Sequence, residues 1–242
     1  MNNNFFSLFF LALSFSLIFS CSSASGIKIT ETDAKNIYEQ GIRDLEKRNF
    51  NRAEARFTKV ISDYRLKNYS KYKPLSAIAL GDTYYAQKDY SAASAVYNNF
   101  ITENSTHEKA PWATLQLGFC YLGQGPSDLF ILPNMAERDI KIVETAAAQF
   151  RYYLERYPDD ESLELGRKGL EEAESILIER DLRIAEFYLK QKKYNAAYTR
   201  VLAIANKEEI HIASEKLRMR IAEILKKCLV AKNKINKKEK NR

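Results

Sequence analysis

The chain has 242 residues and a mass of 27.9 kDa, enough for one or two globular domains or a short array of repeats. Hydrophobic residues make up 45% and charged residues 29%, a balance that excludes both a disordered polymer and a multi-span membrane protein. The formal net charge is +7, but the segment from Lys226 to Arg242, with eight basic residues and one acid, carries all of it. The basic character therefore belongs to the C-terminus and not to the chain as a whole.

The chain opens with an apolar segment that we interpret as a signal peptide. Residues 5–19 contain only Phe, Leu, Ile, Ala and Ser, which is shorter than the roughly 20 residues of a membrane-spanning helix. Ser20 and Cys21 follow, and together with Ile18 they resemble the lipobox of bacterial lipoproteins, whose cysteine is acylated after cleavage. We predict a signal peptide over residues 1–20, a lipidated Cys21 that anchors the chain to a membrane, and a tether over residues 21–30. An ordinary secretory signal with an incidental cysteine is the alternative.

The sequence after the tether repeats itself at fixed offsets. A small residue is followed 9, 12 and 16 residues later by an aromatic residue, an alanine and a large apolar residue, starting from Gly41, Gly81 and Ala185. This spacing is typical of tetratricopeptide repeats, where a small residue lets two helices approach and a large one fills the groove beside it. The sequence predicts an all-α fold, a tetratricopeptide-repeat superhelix of about four to five helix-turn-helix repeats over residues 31–231.

A third repeat, beginning near Gly118, is interrupted. Its second-helix alanine is Ala146, 28 residues after the glycine where the other repeats take 12, so we place an insert at about residues 125–140. After Pro158 a long helix is predicted to about Gln191, and an amphipathic helix over residues 212–231 predicts the first half of a fifth repeat. Residues 232–242 are predicted to form a basic, disordered tail, with binding to anionic lipid or an acidic partner as the alternative.

The sequence offers little material for catalysis. The two histidines, His107 and His211, are isolated, and no phosphate-binding loop is present. Cys120 lies in an apolar helical stretch, so we predict a buried structural thiol. These observations predict no enzyme, no metal and no cofactor, and a secreted lipoprotein with a neutral repeat region is not expected to bind nucleic acid.

Several segments are similar to those of one known family. Asn49-Phe50 at the first turn, Phe100-Ile101 followed by Asn104-Ser105-Thr106-His107, and Tyr198-Thr199-Arg200-Val201 resemble motifs of the BamD (ComL/YfiO) family of outer membrane assembly lipoproteins. The resemblance implies a non-enzymatic scaffold, anchored in the outer membrane and facing the periplasm. Its implied partners are the barrel insertase BamA, held by its POTRA domains, other assembly-machinery lipoproteins, and unfolded β-barrel precursors.

Two sets of residues are candidates for binding these partners. The resemblance implies that Arg200 faces an acidic residue on the last POTRA domain of BamA, and its position next to the packed Val201 indicates exposure. We also predict a groove in the first repeats that binds the terminal ring and carboxylate of barrel precursors. Its candidate residues are the two rings and three basic side chains of Tyr84, Tyr85, Arg43, Lys71 and Lys73.

Two other classes of function remain open. A periplasmic tetratricopeptide adaptor lipoprotein for cell-wall or division factors would more often carry a coiled coil, and none is evident. A lipid-anchored enzyme subunit would need a catalytic site, and the sequence supplies none.

Overall fold

The structure is a computed structural model that describes residues 30–65, 70–125, 137–206 and 215–240, with side chains outside residues 137–139 and 234–240. The predicted signal peptide, Cys21 and nearly all of the tether lie outside the described residues, as do most of the insert and His211.

The described residues form nine α-helices and no strand. Consecutive helices pack against each other throughout, and α1 also contacts α3, α5 contacts α7, and α7 contacts α9. The chain therefore forms four helix pairs, α1 with α2 through α7 with α8, followed by the single helix α9, which confirms the predicted all-α tetratricopeptide fold. The bounds are α1 Glu31–Glu46, α2 Phe50–Ser62, α3 Tyr72–Ala86, α4 Tyr90–Glu103, α5 Ala110–Gln124, α6 Glu137–Arg156, α7 Leu163–Lys190, α8 Tyr194–Ala205 and α9 Glu215–Lys240.

The glycines of the repeat pattern lie where the two helices of a pair approach most closely. A Cβ atom built on Gly41 would lie 2.5 Å from the ring of Phe57, and one on Gly81 would lie 2.6 Å from the ring of Tyr97. Both rings are fully buried. Since these distances are far below van der Waals contact, a residue without a side chain is needed at both positions. Each pair is separated by 16 residues, so the offset read from the sequence is a direct helix–helix contact.

The turn between the helices of a pair has the same backbone conformation in repeats 1, 2 and 4. Arg48, Lys88 and Lys192 have positive φ values of 59°, 63° and 59°. In the first turn the Arg48 amide donates to the Leu45 carbonyl, and the amide of the next residue donates to the carbonyl five residues before it, a Schellman motif that recurs in the other two. Glycine is the usual residue at this left-handed position, so each of these three side chains strains its turn.

Helix α7 packs against helices of two repeats, because it is nearly twice as long as most of the other helices. Its C-terminal half packs on α8, as predicted from the fourth repeat. Its N-terminal half packs on α6 through Gly166 and Gly169, where an added Cβ would lie 2.6 Å from the ring of Tyr153 and 2.5 Å from that of Phe150. The repeat offsets of the sequence do not predict these two contacts.

The C-terminal helix extends beyond its predicted end. We expected a helix to about Ala231 and a disordered tail from residue 232, but α9 continues to Lys240, so the predicted start of the tail is wrong. No glycine or proline occurs after Gly169, and lysine is a good helix former, so nothing in the sequence ends the helix at residue 231. None of the described helices has the length and hydrophobicity required to cross a membrane.

Candidate partner-binding surface

Arg200 lies on α8 at the surface of the fourth repeat. Its neighbour Val201 is fully buried, whereas 38% of the Arg200 side chain is exposed. The Arg200 Nη1 atom donates to Oδ1 of Asp181 on α7 over 2.9 Å, and Asp181 itself is buried. The guanidinium is therefore held by a carboxylate of its own chain while part of it faces solvent.

Asp181 binds a second guanidinium, which extends the cluster to a third helix. Nη2 of Arg180 also lies 2.9 Å from Oδ1 of Asp181, and Nη1 of Arg180 lies 3.9 Å from Glu144 on α6. At the centre, two guanidinium groups share the buried Asp181 carboxylate, and Glu144 lies beside Arg180 at the edge of the cluster. Because Asp181 restricts its orientation, the Arg200 guanidinium loses less conformational entropy than a free side chain when its exposed part binds a carboxylate.

Exposed lysines surround the turn that leads into α8. Lys190 at the end of α7 and Lys192 and Lys193 on the turn to α8 are all exposed. Exposed lysines contribute little affinity individually, but they raise the rate at which an acidic surface approaches. This surface of repeat 4 therefore combines one oriented guanidinium with a rim of exposed lysines.

A separate ion-pair network joins α7 to α9, and no motif in the sequence predicts it. Arg220 on α9 contacts Glu179 at 2.6 Å and Glu186 at 2.8 Å, while Arg183 contacts Glu179 at 3.1 Å. Burial raises the pKa of Glu179, but the hydrogen bonds from Arg220 and Arg183 outweigh it and hold the pKa below its ordinary value. Arg220 and Glu179 are 41 residues apart, so the sequence carries no local signal of this pairing.

The two candidate groove rings lie together at the C-terminal end of α3, each half-buried. The hydroxyl of Tyr84 donates to Oε1 of Glu54 on α2 over 2.9 Å, so this ring contributes to the contact between repeats 1 and 2. Tyr85 packs edge-on against Tyr90 with ring centroids 5.3 Å apart. Burial, and to a smaller extent Tyr90, Cys120 and Glu172 of α7, raise the pKa of Tyr85.

The three basic candidates do not form one cluster with these rings. Lys71 and Lys73 lie at the N-terminal end of α3, and at 1.5 Å per residue Lys73 is about 18 Å along the axis from Tyr85. Lys71 is exposed, with its ammonium 5.2 Å from the centroid of the Tyr72 ring. Arg43 is exposed near the C-terminal end of α1. A terminal ring and its own carboxylate therefore cannot contact Tyr85 and Lys73 at the same time, whereas a contact that involves Arg43 stays a prediction.

A half-buried carboxylate that no sequence motif predicts connects repeat 2 to repeat 3. Oδ1 of Asp82 on α3 accepts hydrogen bonds from the hydroxyl of Tyr97 at 2.6 Å and from the indole nitrogen of Trp112 at 3.2 Å. Burial raises the pKa of Asp82 by more than these two hydrogen bonds lower it. Its partners lie 15 and 30 residues away, which explains why no short motif marks it.

The cysteines and the histidine among the described residues pack into the structure. Cys120 and Cys228 are buried free thiols, and burial raises the pKa of Cys120 to about 12. His107 packs edge-on against Phe100 and accepts a hydrogen bond from the Lys109 amide. No group of three potential metal-ligating side chains occurs among the described residues.

Comparison with known proteins identifies the family. The model of the YfiO family, described as "Outer membrane lipoprotein", matches residues 30–240. A Vibrio cholerae protein named "Outer membrane protein assembly factor BamD" is 28% identical, covering 78% of this chain and 77% of that protein. Proteins of the same name from Caulobacter vibrioides and Xylella fastidiosa are 25% and 23% identical, with 55% and 56% of their lengths covered.

Among solved structures, a thermophilic tetratricopeptide-repeat protein of Thermus thermophilus, TTC0263, is similar to this chain with a TM-score of 0.43 and 14% identity, covering 79% of this chain and 98% of that one. The family match spans all nine described helices, including the Arg200 surface and the long α9. The chain therefore belongs to the YfiO family of outer membrane lipoproteins.

Proposed function

We infer that the chain is a scaffold of outer membrane protein assembly, which binds the barrel insertase and unfolded barrel precursors without catalysing a reaction. The observation that carries this inference is the family match over residues 30–240, together with curated relatives named outer membrane protein assembly factor. The helix-pair architecture supports a binding role, because stacked helix pairs expose extended surfaces to partners.

The insertase contact is assigned to Arg200 and the cluster around Asp181. A carboxylate on the partner would meet the exposed part of the Arg200 guanidinium, while Asp181 continues to hold its other side. Guanidinium groups suit this task because they remain charged and bind carboxylates through two parallel hydrogen bonds. The lysines of the α7–α8 turn then steer an acidic POTRA surface towards the contact. Other assembly-machinery lipoproteins are proposed as further partners.

We assign precursor binding to a surface that runs along α3 from one end to the other. This surface replaces the predicted groove, because the candidate residues on α3 do not lie together. The rings of Tyr84 and Tyr85 and the ammonium groups of Lys71 and Lys73 lie at opposite ends of this helix. An extended chain covers 18 Å in about five or six residues, so different residues of one precursor segment would contact the two ends. An extended segment with an apolar ring and an acidic group at that separation fits this surface.

The proposed location is the periplasmic face of the outer membrane, held by acyl chains on Cys21. Each acyl chain adds about 0.8 kcal/mol per buried methylene, and several chains together give a stable anchor. The eight residues between Cys21 and Thr30 are long enough to hold α1 clear of the lipid surface.

Co-purification from detergent-solubilised membranes tests the insertase contact. Arg200→Gln removes the charge but keeps a donor for Asp181, so we expect the insertase to be recovered in much lower amounts with an unchanged melting curve. Arg200→Glu is a poorer test, because it places a second carboxylate beside the buried Asp181 and destabilises the fold.

Arg167→Gln is the matched control, since Arg167 is an exposed arginine on α7 with one surface pair to Glu164. Equal recovery of the insertase with Arg200→Gln and with Arg167→Gln would show that Arg200 is not the contact. Recovery of cell-wall or division proteins in place of the insertase would instead favour the adaptor alternative.

A further inference from the structure

Helix α9 has one face packed on the protein and the opposite face uncovered. Leu217, Ile221, Ile224 and Cys228 are buried in the core shared with α7 and α8. On the opposite side, Met219 is 66% exposed and Val230 is 48% exposed. Met219, Lys226 and Val230 recur at intervals of seven and four residues, so they form one line along the helix. Ala222 and the 44% exposed Leu229 flank this line.

The uncovered face is basic as well as apolar. Lys226 and Lys227 are exposed on it, and its acid Glu223 is paired with Lys227 at 2.7 Å. The sequence from Lys226 to Arg242 holds eight basic residues and one acid, which accounts for the entire net charge of the chain. Positive charge is therefore concentrated at the end of the helix that bears Leu229 and Val230.

This composition argues against a protein partner on the same face. Fully buried protein interfaces are enriched in aromatic residues and arginine and depleted in lysine. Helix α9 contains no aromatic residue, and of its two arginines Arg220 is turned inward, towards Glu179 and Glu186, while Arg218 is exposed. A second copy of this chain is disfavoured too, since pairing two such faces would bring two strongly basic segments together.

We propose that this face of α9 lies on an anionic phospholipid surface. Met219, Leu229 and Val230 would enter between the headgroups, and Lys226 and Lys227 would contact the phosphates. An amphipathic helix whose exposed face carries both aliphatic residues and lysines binds the membrane interface in this way, through apolar burial and attraction to anionic lipid. The contact is independent of Arg200 and of acylation at Cys21, and it places a second membrane attachment at the opposite end of the repeat array from α1.

Vesicle flotation tests this proposal with the unacylated chain of residues 22–242. Vesicles of phosphatidylglycerol and phosphatidylcholine should bind the chain, vesicles of phosphatidylcholine alone should not, and added salt should release it. A lysine close to an anionic surface contributes about a fivefold change in partitioning, so Lys226→Gln with Lys227→Gln should reduce binding by at least that factor. Met219→Ser with Val230→Ser should reduce it as well.

Two matched controls separate this face from general charge and general hydrophobicity. Lys192→Gln with Lys193→Gln makes the same change in net charge on the α7–α8 turn, and Leu202→Ser removes an exposed aliphatic side chain from α8. Both should bind like the original chain. Absence of binding to anionic vesicles, equal binding to neutral ones, or an equal loss in the control variants would overturn the proposal.

Discussion

Replacing Gly81 by alanine tests whether helix pairs are held together by the small–large contact. The new Cβ would lie 2.6, 2.8 and 2.9 Å from three carbons of the Tyr97 ring. This ring is fully buried, and its hydroxyl is held by Asp82 at 2.6 Å, so it cannot retreat without losing that hydrogen bond. The clash is therefore relieved only by separating α3 from α4.

The size of the effect follows from packing energetics. Overpacking of this kind costs about 1–3 kcal/mol, while alanine in place of glycine favours the helix by about 1 kcal/mol. The single variant alone therefore shows only the difference of two opposing effects. A double-mutant cycle removes the helix-propensity contribution, because that contribution is the same in both backgrounds.

The fourth repeat suggests the second substitution. There Ala185 replaces the glycine and Val201 replaces the ring, and both are fully buried in one cluster. Tyr97→Val alone leaves a cavity and removes the hydrogen bond to Asp82, but in that background the Gly81→Ala methyl group has room. We expect a favourable coupling of about 1–2 kcal/mol between the two substitutions.

Urea denaturation followed by far-UV circular dichroism measures the four stabilities. Gly41→Ala with Tyr97→Val is the control cycle, since Gly41 faces Phe57 in the first repeat. We expect that cycle to be additive to within about 0.5 kcal/mol. If the Gly81 and Tyr97 substitutions were equally additive, the contact would not be what holds the two helices together.

Three further predictions address the turns, the pH dependence and the anchor. Lys88→Gly relieves the left-handed strain of the second turn and should raise the free energy of unfolding by up to about 1 kcal/mol. The control Lys59→Gly, within α2, should lower it by about the same amount. A destabilised Lys88→Gly chain would contradict the strain argument. The hydrogen bonds from Arg65, with a smaller contribution from Lys73, hold the pKa of Asp63 at about 2, below the 3.8 of the unfolded chain. Its stabilising contribution is therefore present above pH 4 and lost as the pH falls towards 2, so Asp63→Asn should lower the melting temperature at pH 7 and not at pH 2. Cys21→Ala should leave an unprocessed or soluble form, and a mature N-terminus that mass spectrometry places at another residue would contradict the lipoprotein prediction.

The repeat register could be predicted from the sequence because it depends on short, fixed distances along the chain. A helix of 13 to 16 residues and a turn of three place the small residue opposite a large one 16 positions later. Gly41 with Phe57 and Gly81 with Tyr97 follow this rule. Gly169 with Phe150 does not, since that contact joins the third repeat to the following helix across an irregular connection.

The polar contacts and the end of α9 could not be predicted from spacing along the chain. Asp181 and Arg200 lie on neighbouring helices, and no spacing rule distinguishes this pair from the many other charged residues of α7. Lys73 and Tyr85 are candidates for one groove because of their residue types, although helix geometry alone separates them by about 18 Å. The lysines after residue 231 were interpreted as disordered because of their charge, whereas their helix propensity favours the continuation of α9.

Depletion of the protein in its own bacterium, with quantification of outer membrane β-barrel proteins, tests the central claim most directly. An assembly scaffold is required before barrels insert, so folded barrels in the outer membrane should fall and unfolded precursors should accumulate as the protein is lost. Expression of the original chain should restore both, and the Arg200→Gln variant should restore them less well. Unchanged levels of folded barrels after depletion would contradict a role in outer membrane protein assembly.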